Sequence, residues 1–290
     1  MLRGPQQCSM TLTEQQFARI RRLALSLAGI ELVGRHRELL ARRTRRLGLR
    51  DSAGAERLLA AAEKGETTAT QQLLCLLTTK FTGFFRQPRH FDIAAGHARR
   101  VAAQRGQARL WSAAAATGEE PWSLAMALLD VFRQEEPPAS ILATDVDAEA
   151  LAAADRGEYS EATVGAISLG QRERYFRESQ AARTWSVAPE VRRLVEFRAL
   201  NLTGLTWPVK GPFDVIFCRN VLMYLEAGHR YAVLERMASL LAPDGLLLLD
   251  PAEHPGNAAH WFAPAEVGVY SRQRGLPQSR RLAGALSPHH

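Results

Sequence analysis

The chain reads as an α/β protein with a doubly wound, mostly parallel sheet, preceded by an all-helical N-terminal region. Three observations predict this. From about residue 107, short apolar runs alternate with helical stretches. ARLWSA, SILATD, VEFRAL, FDVIFC and GLLLLD each read as a buried strand, with WSLAMALLDVF and AEALAAADRG as helices between the first pairs. Such alternation favours right-handed βαβ units and a parallel sheet. Before it, residues 11–79 carry only helical periodicity. Within it, residues 171–198 interrupt the rhythm. There YFRES, TWSVAP and VRRLVEF are short, polar-flanked and lack a crossover helix, so they read as a small antiparallel insertion.

The N-terminal helices have recognisable boundaries. TEQQ forms a capping box from Thr13, which satisfies free N–H groups of a first turn. Phe17, Ile20, Leu23 and Leu27 follow at helical spacing, and Gly29 ends the run. On the next helix Leu40, Thr44 and Leu47 share one face. Arg35, Arg42, Arg45 and Arg46 fall within an arc of roughly 100° on another. Asp51 or Ser52 caps a third helix through Leu58 and Leu59 that stops near Gly65, and a fourth carries Leu73, Leu74 and Leu77. The expected organisation is a helical region over 1–80, an α/β domain over 81–274 and a disordered tail over 275–290.

Composition narrows the function classes. An apolar fraction of 46% supports a substantial core in 290 residues. No apolar run reaches the eighteen or so residues of a spanning helix, and the N-terminus has no apolar signal-peptide segment. Cys8, Cys75 and Cys218 form neither a disulfide framework nor a CxxC metal pair, so a reducing cytoplasm is expected. The net charge of +7 is concentrated, with seven arginines and one glutamate between residues 35 and 50. Nucleic acid or an acidic protein surface suits such a cluster. The basic-aromatic alternation of single-strand binders is missing.

The chemistry centres on WSAAAATGEEPWSLAM, residues 111–126. In doubly wound sheets, ligands bind where the first strand turns into its helix. Gly118 permits close backbone approach, Pro121 suits a first helical turn, and Ala113 to Ala116 leave room for a ligand. Glu119 and Glu120 would repel a pyrophosphate, so a cationic ligand is preferred. S-adenosylmethionine has a sulfonium and an ammonium, and no phosphate. Asp145, 27 residues after Gly118, ends the second strand where a carboxylate can accept both ribose hydroxyls. Asp147 can cap the following helix. Trp111, Phe81, Phe84 and Phe85 read as packing residues, and Cys218 as a buried small hydrophobe. His97, His229, His254 and His260 lack metal-ligand spacing, so no metal is expected.

TTKFTGFFR, WSAAAATGEEPWSLA, ATDVDAEAL, RGEY, RYF, VEFRALNL and FDVIFCRNVLMY occur in the order seen in the chemoreceptor glutamate methyltransferases, and the chain resembles this CheR family over most of its length. The resemblance implies a methyltransferase version of the fold, in which 171–198 is a small β-subdomain. It implies S-adenosylmethionine as cofactor and methylation of glutamate side chains on chemoreceptor cytoplasmic helices, by a monomer without membrane insertion or nucleic-acid partner. By motif, Thr82 and Arg86 belong to the cofactor and active-site wall. Glu120 meets the methionyl ammonium and Asp145 the ribose. Asn201 and Leu202 flank the adenine, and Arg219 and Asn220 lie close to the cofactor. Tyr224 stands near the transferred methyl, making Arg86 and Tyr224 the candidate catalytic residues. Arg35, Arg42, Arg45 and Arg46 correspond to the receptor-docking face. The alternatives are a catalytically silent S-adenosylmethionine sensor and an RNA methyltransferase. The latter would want NPPY or DPPY after the fourth strand, where FCRNVLMY stands.

Three departures stand out. Lys80 replaces a common asparagine. GLLLLDPAEHP differs from the common GHSE pattern. Residues 171–190 lack the glycine loop of members that grip a receptor's C-terminal tether peptide, so no dependence on that peptide is expected.

Overall fold

The computed structural model describes residues 12–46, 49, 51–78, 82–179 and 183–273. Cys8, Leu47, Lys80, Phe81, the side chain of Arg46 and the tail from 275 lie outside the described residues.

Four helices come first: α1 (Glu14–Ala28), α2 (His36–Arg46), α3 (Ser52–Glu63) and α4 (Thr67–Leu77). Thr13 accepts from the Gln16 N–H while the Gln16 side chain accepts from the Thr13 N–H, the reciprocal cap that TEQQ predicts. Asp51, rather than Ser52, caps α3 through the Gly54 N–H. Phe17, Ile20, Leu40, Leu59, Leu73 and Leu74 form this region's own apolar core. Among the α2 arginines, Arg43 turns inward. Its guanidinium donates to the Leu76, Leu77 and Thr78 carbonyls and so caps the free end of α4.

The remainder alternates as expected. α5 (Pro88–Arg105) leads into β1 (Ala108–Ser112), α6 (Glu119–Phe132), β2 (Ala139–Asp145) and α7 (Ala148–Arg156). Next come β3 (Glu158–Ser160), α8 (Glu161–Val164), α9 (Leu169–Tyr175), β4 (Phe176–Ser179), β5 (Thr184–Val187) and α10 (Pro189–Arg192). The chain finishes with β6 (Val195–Ala199), β7 (Phe213–Phe217), α11 (Ala227–Leu240), β8 (Leu241–Leu248), β9 (Phe262–Glu266) and β10 (Val269–Arg272). The large sheet has the order β6-β2-β1-β7-β8-β10-β9, parallel from β6 to β8 and antiparallel at the β10 and β9 edge. β1 and β7 are therefore central, and β7 is buried at every position.

Four readings of the sequence need correction. VEFRAL is an edge strand: as β6 it pairs only with β2, and its side chains are half-buried or exposed. It belongs to the large sheet, so the small antiparallel sheet, ordered β3-β5-β4, runs from 158 to 187 instead of 171 to 198. Glu158–Ser160 is too short to show alternation, which hid β3. β8 begins at Leu241, ahead of the apparent start at Gly245, because its register against β7 shifts around Pro243, Asp244 and Gly245. The β9–β10 hairpin was unread, since neither strand offers a continuous apolar run.

Candidate functional site

The carboxyl ends of β2, β1, β7 and β8 open into one cleft of about 480 Å³, within the usual size of small-ligand sites. Thr82, Arg86, Glu120, Asp145, Asn201, Leu202, Arg219, Asn220 and Tyr224 all line it. These positions run from Thr82 to Tyr224 in the sequence, and the strand order is what gathers them. The docking arginines are elsewhere: Arg35, in the turn before α2 and not on the helix, and Arg42 and Arg45 on α2 are exposed and take no part in the cleft.

The turn after β1 answers how a nucleotide-type site is made without the usual glycines. Its backbone is pinned by neighbouring strands: the Ala113 N–H donates to the Phe217 carbonyl and the Ala115 N–H to the Thr144 carbonyl. Ala113, Ala114 and Ala116 then present small side chains to the cleft. Gly118 serves a different purpose from the one expected. It lies outside the cleft lining, and a Cβ there would stand 2.8 Å from Ala154 Cβ and 2.9 Å from the Tyr159 hydroxyl. Its φ of 97° also favours glycine. Gly118 lets α6 start against α7; it does not admit a ligand.

The glutamate pair divides as well. Glu119 points away from the cleft, buried, accepting from the Thr117 hydroxyl at 2.7 Å. Glu120 faces it, accepting from the Ser112 hydroxyl at 2.8 Å and from Arg219 Nη1 at 3.1 Å. Burial pushes the Glu120 carboxyl up, against the pull of Arg219 and Ser112. Arg219 is itself enclosed, with Nη2 donating to the Arg86 carbonyl at 2.7 Å. Asp145 accepts the Ala116 N–H at 2.8 Å and the Asp147 N–H at 2.9 Å, one on each oxygen. Its pKa is raised by burial, against those two N–H groups. Asp147 caps α7 through the Glu149 and Ala150 N–H groups, the separate role the sequence suggests.

Arg86 sits between two non-glycine residues in the left-handed region, Phe85 at φ 50° and Gln87 at φ 62°. Such conformations persist only where surrounding contacts enforce them, and the Phe85 N–H is held by the Ser123 hydroxyl at 2.9 Å. Arg86 Nη2 lies 3.7 Å from Asp250 Oδ2. Tyr224 ends a short 3-10 turn, Leu222–Tyr224, and packs against the N-terminal core. Asn201 reaches the cleft with its amide already committed, donating to the Leu27 carbonyl and accepting from Thr203.

Two carboxylates escaped the sequence reading. Asp250 lines the cleft at the end of β8. Glu253 is buried behind it and accepts the N–H groups of Asn220, Met223 and Asp250. One carboxylate thus fixes the Arg219–Tyr224 segment to the end of β8. The signal was there: DPAE keeps only the last residue of GHSE, its glutamate.

Residues 80–270 match the family described as CheR methyltransferase, SAM binding domain. The chain is also 37% identical over 269 residues to the chemotaxis protein methyltransferase of Salmonella typhimurium, covering 90% of this chain and 91% of that one. It is 38% identical over 258 residues to the Escherichia coli protein of the same name, covering 87% of each. Identity to chemotaxis protein methyltransferase 2 of Pseudomonas aeruginosa is 34% over 262 residues, 89% of this chain and 93% of that one. The chain belongs to the CheR methyltransferase family.

A CheR cofactor, S-adenosylmethionine, fits the residues present. A carboxylate offers about four acceptor positions. Asp145 uses part of that capacity on backbone N–H groups, and what remains suits ribose hydroxyls. Glu120 likewise retains lone pairs for an ammonium beside Arg219. The cleft holds four carboxylates (Glu120, Asp145, Asp147 and Asp250) against two guanidiniums, Arg86 and Arg219. That balance suits a cation and disfavours a diphosphate. Among the described residues no helix is long and apolar enough to cross a membrane. The expected histidines form no metal-type group there; Cys75, Asp147 and Glu149 are close together, and Asp147 is already the α7 cap.

Proposed function

We propose that this CheR methyltransferase transfers the methyl group of S-adenosylmethionine to glutamate side-chain carboxylates on cytoplasmic chemoreceptor helices, acting as a cytoplasmic monomer. One observation carries the reading. Every cofactor and catalytic residue implied by the family motifs lines the same cleft, Asp145, Glu120, Arg86 and Tyr224 among them.

Bound S-adenosylmethionine supplies a methyl carbon made electrophilic by its sulfonium. The acceptor needs no general base, because a glutamate with a reference pKa near 4.3 is already ionised at neutral pH. The protein's task is to strip water from that carboxylate and hold it in line, with the reacting atoms roughly 3–3.5 Å apart. Asp145 and Glu120 fix the cofactor's position along the sheet. Arg86 and the Tyr224 hydroxyl steer the acceptor, and half-exposed Met223 lies beside them at the mouth. Exposed Arg35, just before α2, and Arg42 and Arg45 on it provide the receptor-docking charge, with Arg46 on the same predicted face.

Incubation with methyl-labelled cofactor and membranes carrying the receptors tests this reading. The expected outcome is base-labile label released as methanol, the signature of a glutamyl ester. Cofactor binding without transfer would assign the sensor role, and label in RNA the other.

A further inference from the structure

The end of β8 places a carboxylate in the cleft that the cofactor roles do not use. Asp250 lies three strand positions from Asp145 in the order β2-β1-β7-β8, roughly 14 Å at about 4.8 Å per strand. Asp145, ending β2, and Glu120, in the first turn of α6, account for the cofactor contacts. Asp250 stands beside Arg86, the residue assigned above to the acceptor.

Its geometry there is unusual. The side chain is 10% exposed. Oδ1 accepts the Ala252 N–H at 3.1 Å, while buried Oδ2 has no hydrogen-bond partner. Oδ2 is 3.7 Å from Arg86 Nη2, close enough to balance its charge and too far to fix its orientation. The carboxylate stays ionised. Burial opposes the anion, but the Ala252 N–H, the Asn220 amide, Arg86 and Arg219 outweigh it and hold its pKa below the ordinary aspartate value. The groups facing it are thus Arg86, Arg219 and Asn220, with Glu253 bonded to its backbone N–H at 3.2 Å. The Arg86 backbone is fixed in place, its carbonyl held by Arg219 and its two neighbours in the left-handed region, so the root of the side chain stays beside Asp250.

We propose, on the reading of a carboxylate acceptor given above, that Asp250 is a specificity-determining residue that moderates Arg86. In the resting cleft it balances the Arg86 charge loosely. An incoming carboxylate shares or replaces it, so the acceptor is oriented without being locked into a tight pair that would blunt its nucleophilicity. Where the GHSE pattern has glycine, this restraint has no side chain to supply it. Members with that pattern should grip a carboxylate more tightly.

The test is a titration of the S-adenosylhomocysteine-loaded protein with N-acetylglutamate α-amide, a one-carboxylate probe, followed by NMR. Asp250→Asn and Asp250→Gly should each bind the probe about three- to tenfold more tightly than the wild type, since the carboxylate that competes for the Arg86 guanidinium has been removed. In an Arg86→Gln background, Asp250→Asn should lose that effect. With receptor membranes, Asp250→Asn should lower both KM and kcat while leaving S-adenosylhomocysteine affinity unchanged. Unchanged or weaker probe binding in both variants would overturn the role. So would a selective loss of cofactor affinity, which would make Asp250 a cofactor ligand. Tighter probe binding in a protein that labels no receptor would keep Asp250's role and refute the receptor substrate instead.

Discussion

The arginines of this chain work in two settings, and the contrast separates holding from meeting. Arg219 has 2% of its side chain exposed, with Glu120 on one side, the Arg86 carbonyl on another, and the Phe91 and Phe217 rings within 6 Å. Arg35, Arg42 and Arg45 are exposed and form no ion pair among the described residues. A buried guanidinium is a fixed charge that water and salt barely screen. Solvated ones attract a partner from a distance and are screened over about 8–10 Å at physiological ionic strength. On the proposed reading, selectivity for cofactor and acceptor resides in the first group and encounter with the receptor in the second.

The largest expected effect breaks the buried side of this contrast. Arg219→Met leaves Glu120 enclosed without its cation, and should lower unfolding free energy by about 3–5 kcal/mol in urea denaturation. A loss below about 1 kcal/mol would mean the pair is solvated after all. Next, Asp145→Asn should weaken S-adenosylmethionine binding by about 1–3 kcal/mol in calorimetry. This change is not structurally silent, because an amide can accept from only one of the Ala116 and Asp147 N–H groups that Asp145 now holds. A small drop in thermal stability should accompany it, and unchanged affinity would remove Asp145 from the site.

On the solvated side, replacing Arg35, Arg42 and Arg45 by alanine should raise the apparent KM for receptor about three- to tenfold, given the modest worth of exposed charges. Cofactor affinity should not change. Added salt should reproduce the effect in the wild type and do little more in the variant.

The smallest effect concerns pH. Glu119 is buried, and burial raises its pKa above 4.5 against the Thr117 hydroxyl, with no cation beside it. A carboxyl with a raised folded pKa binds more protons folded than unfolded within that window. Its contribution is therefore favourable at low pH and is lost as pH rises from about 4.5 through the folded pKa. Glu119→Gln should flatten that part of the stability curve and make the protein modestly more stable at pH 7. An unaltered pH profile would show that Glu119 ionises freely.

The sequence carried the local features well. The Thr13 box, the Asp147 cap and the strands around WSA, ATD and IFC depend on neighbours within a few residues. What stayed hidden depends on contacts far along the chain. Asn201 bonding to Leu27, 174 residues away, leaves no pattern in either segment. Gly118 looked like a ligand-facing glycine because Ala154 and Tyr159 approach it only in the folded chain. Glu253 was legible in principle, yet two of its three backbone partners, Asn220 and Met223, come from the segment after β7. The expected freedom from a tether peptide leaned on a turn whose residues 180–182 are not described. Arg183 there adopts φ 51°, a conformation glycine would ordinarily take, and Pro189 starts α10.

Gly29 has a consequence for how the chain can be divided. A Cβ at this position would meet Thr203 at 2.7 Å and His229 at 2.9 Å, so the end of α1 is seated directly against the β6–β7 and α11 segments. Around it the Gly29 carbonyl accepts from Glu226, the Glu31 N–H donates to Tyr224, and Thr78 donates to Asp147. Ala28, Ile30, Leu77 and Thr78 complete the cleft wall. The stretch matched to the family starts at residue 80, but excising it would strip away that wall and strand the amide of Asn201. The boundary that homology draws is a boundary of inheritance, and the catalytic chamber is walled from both sides of it.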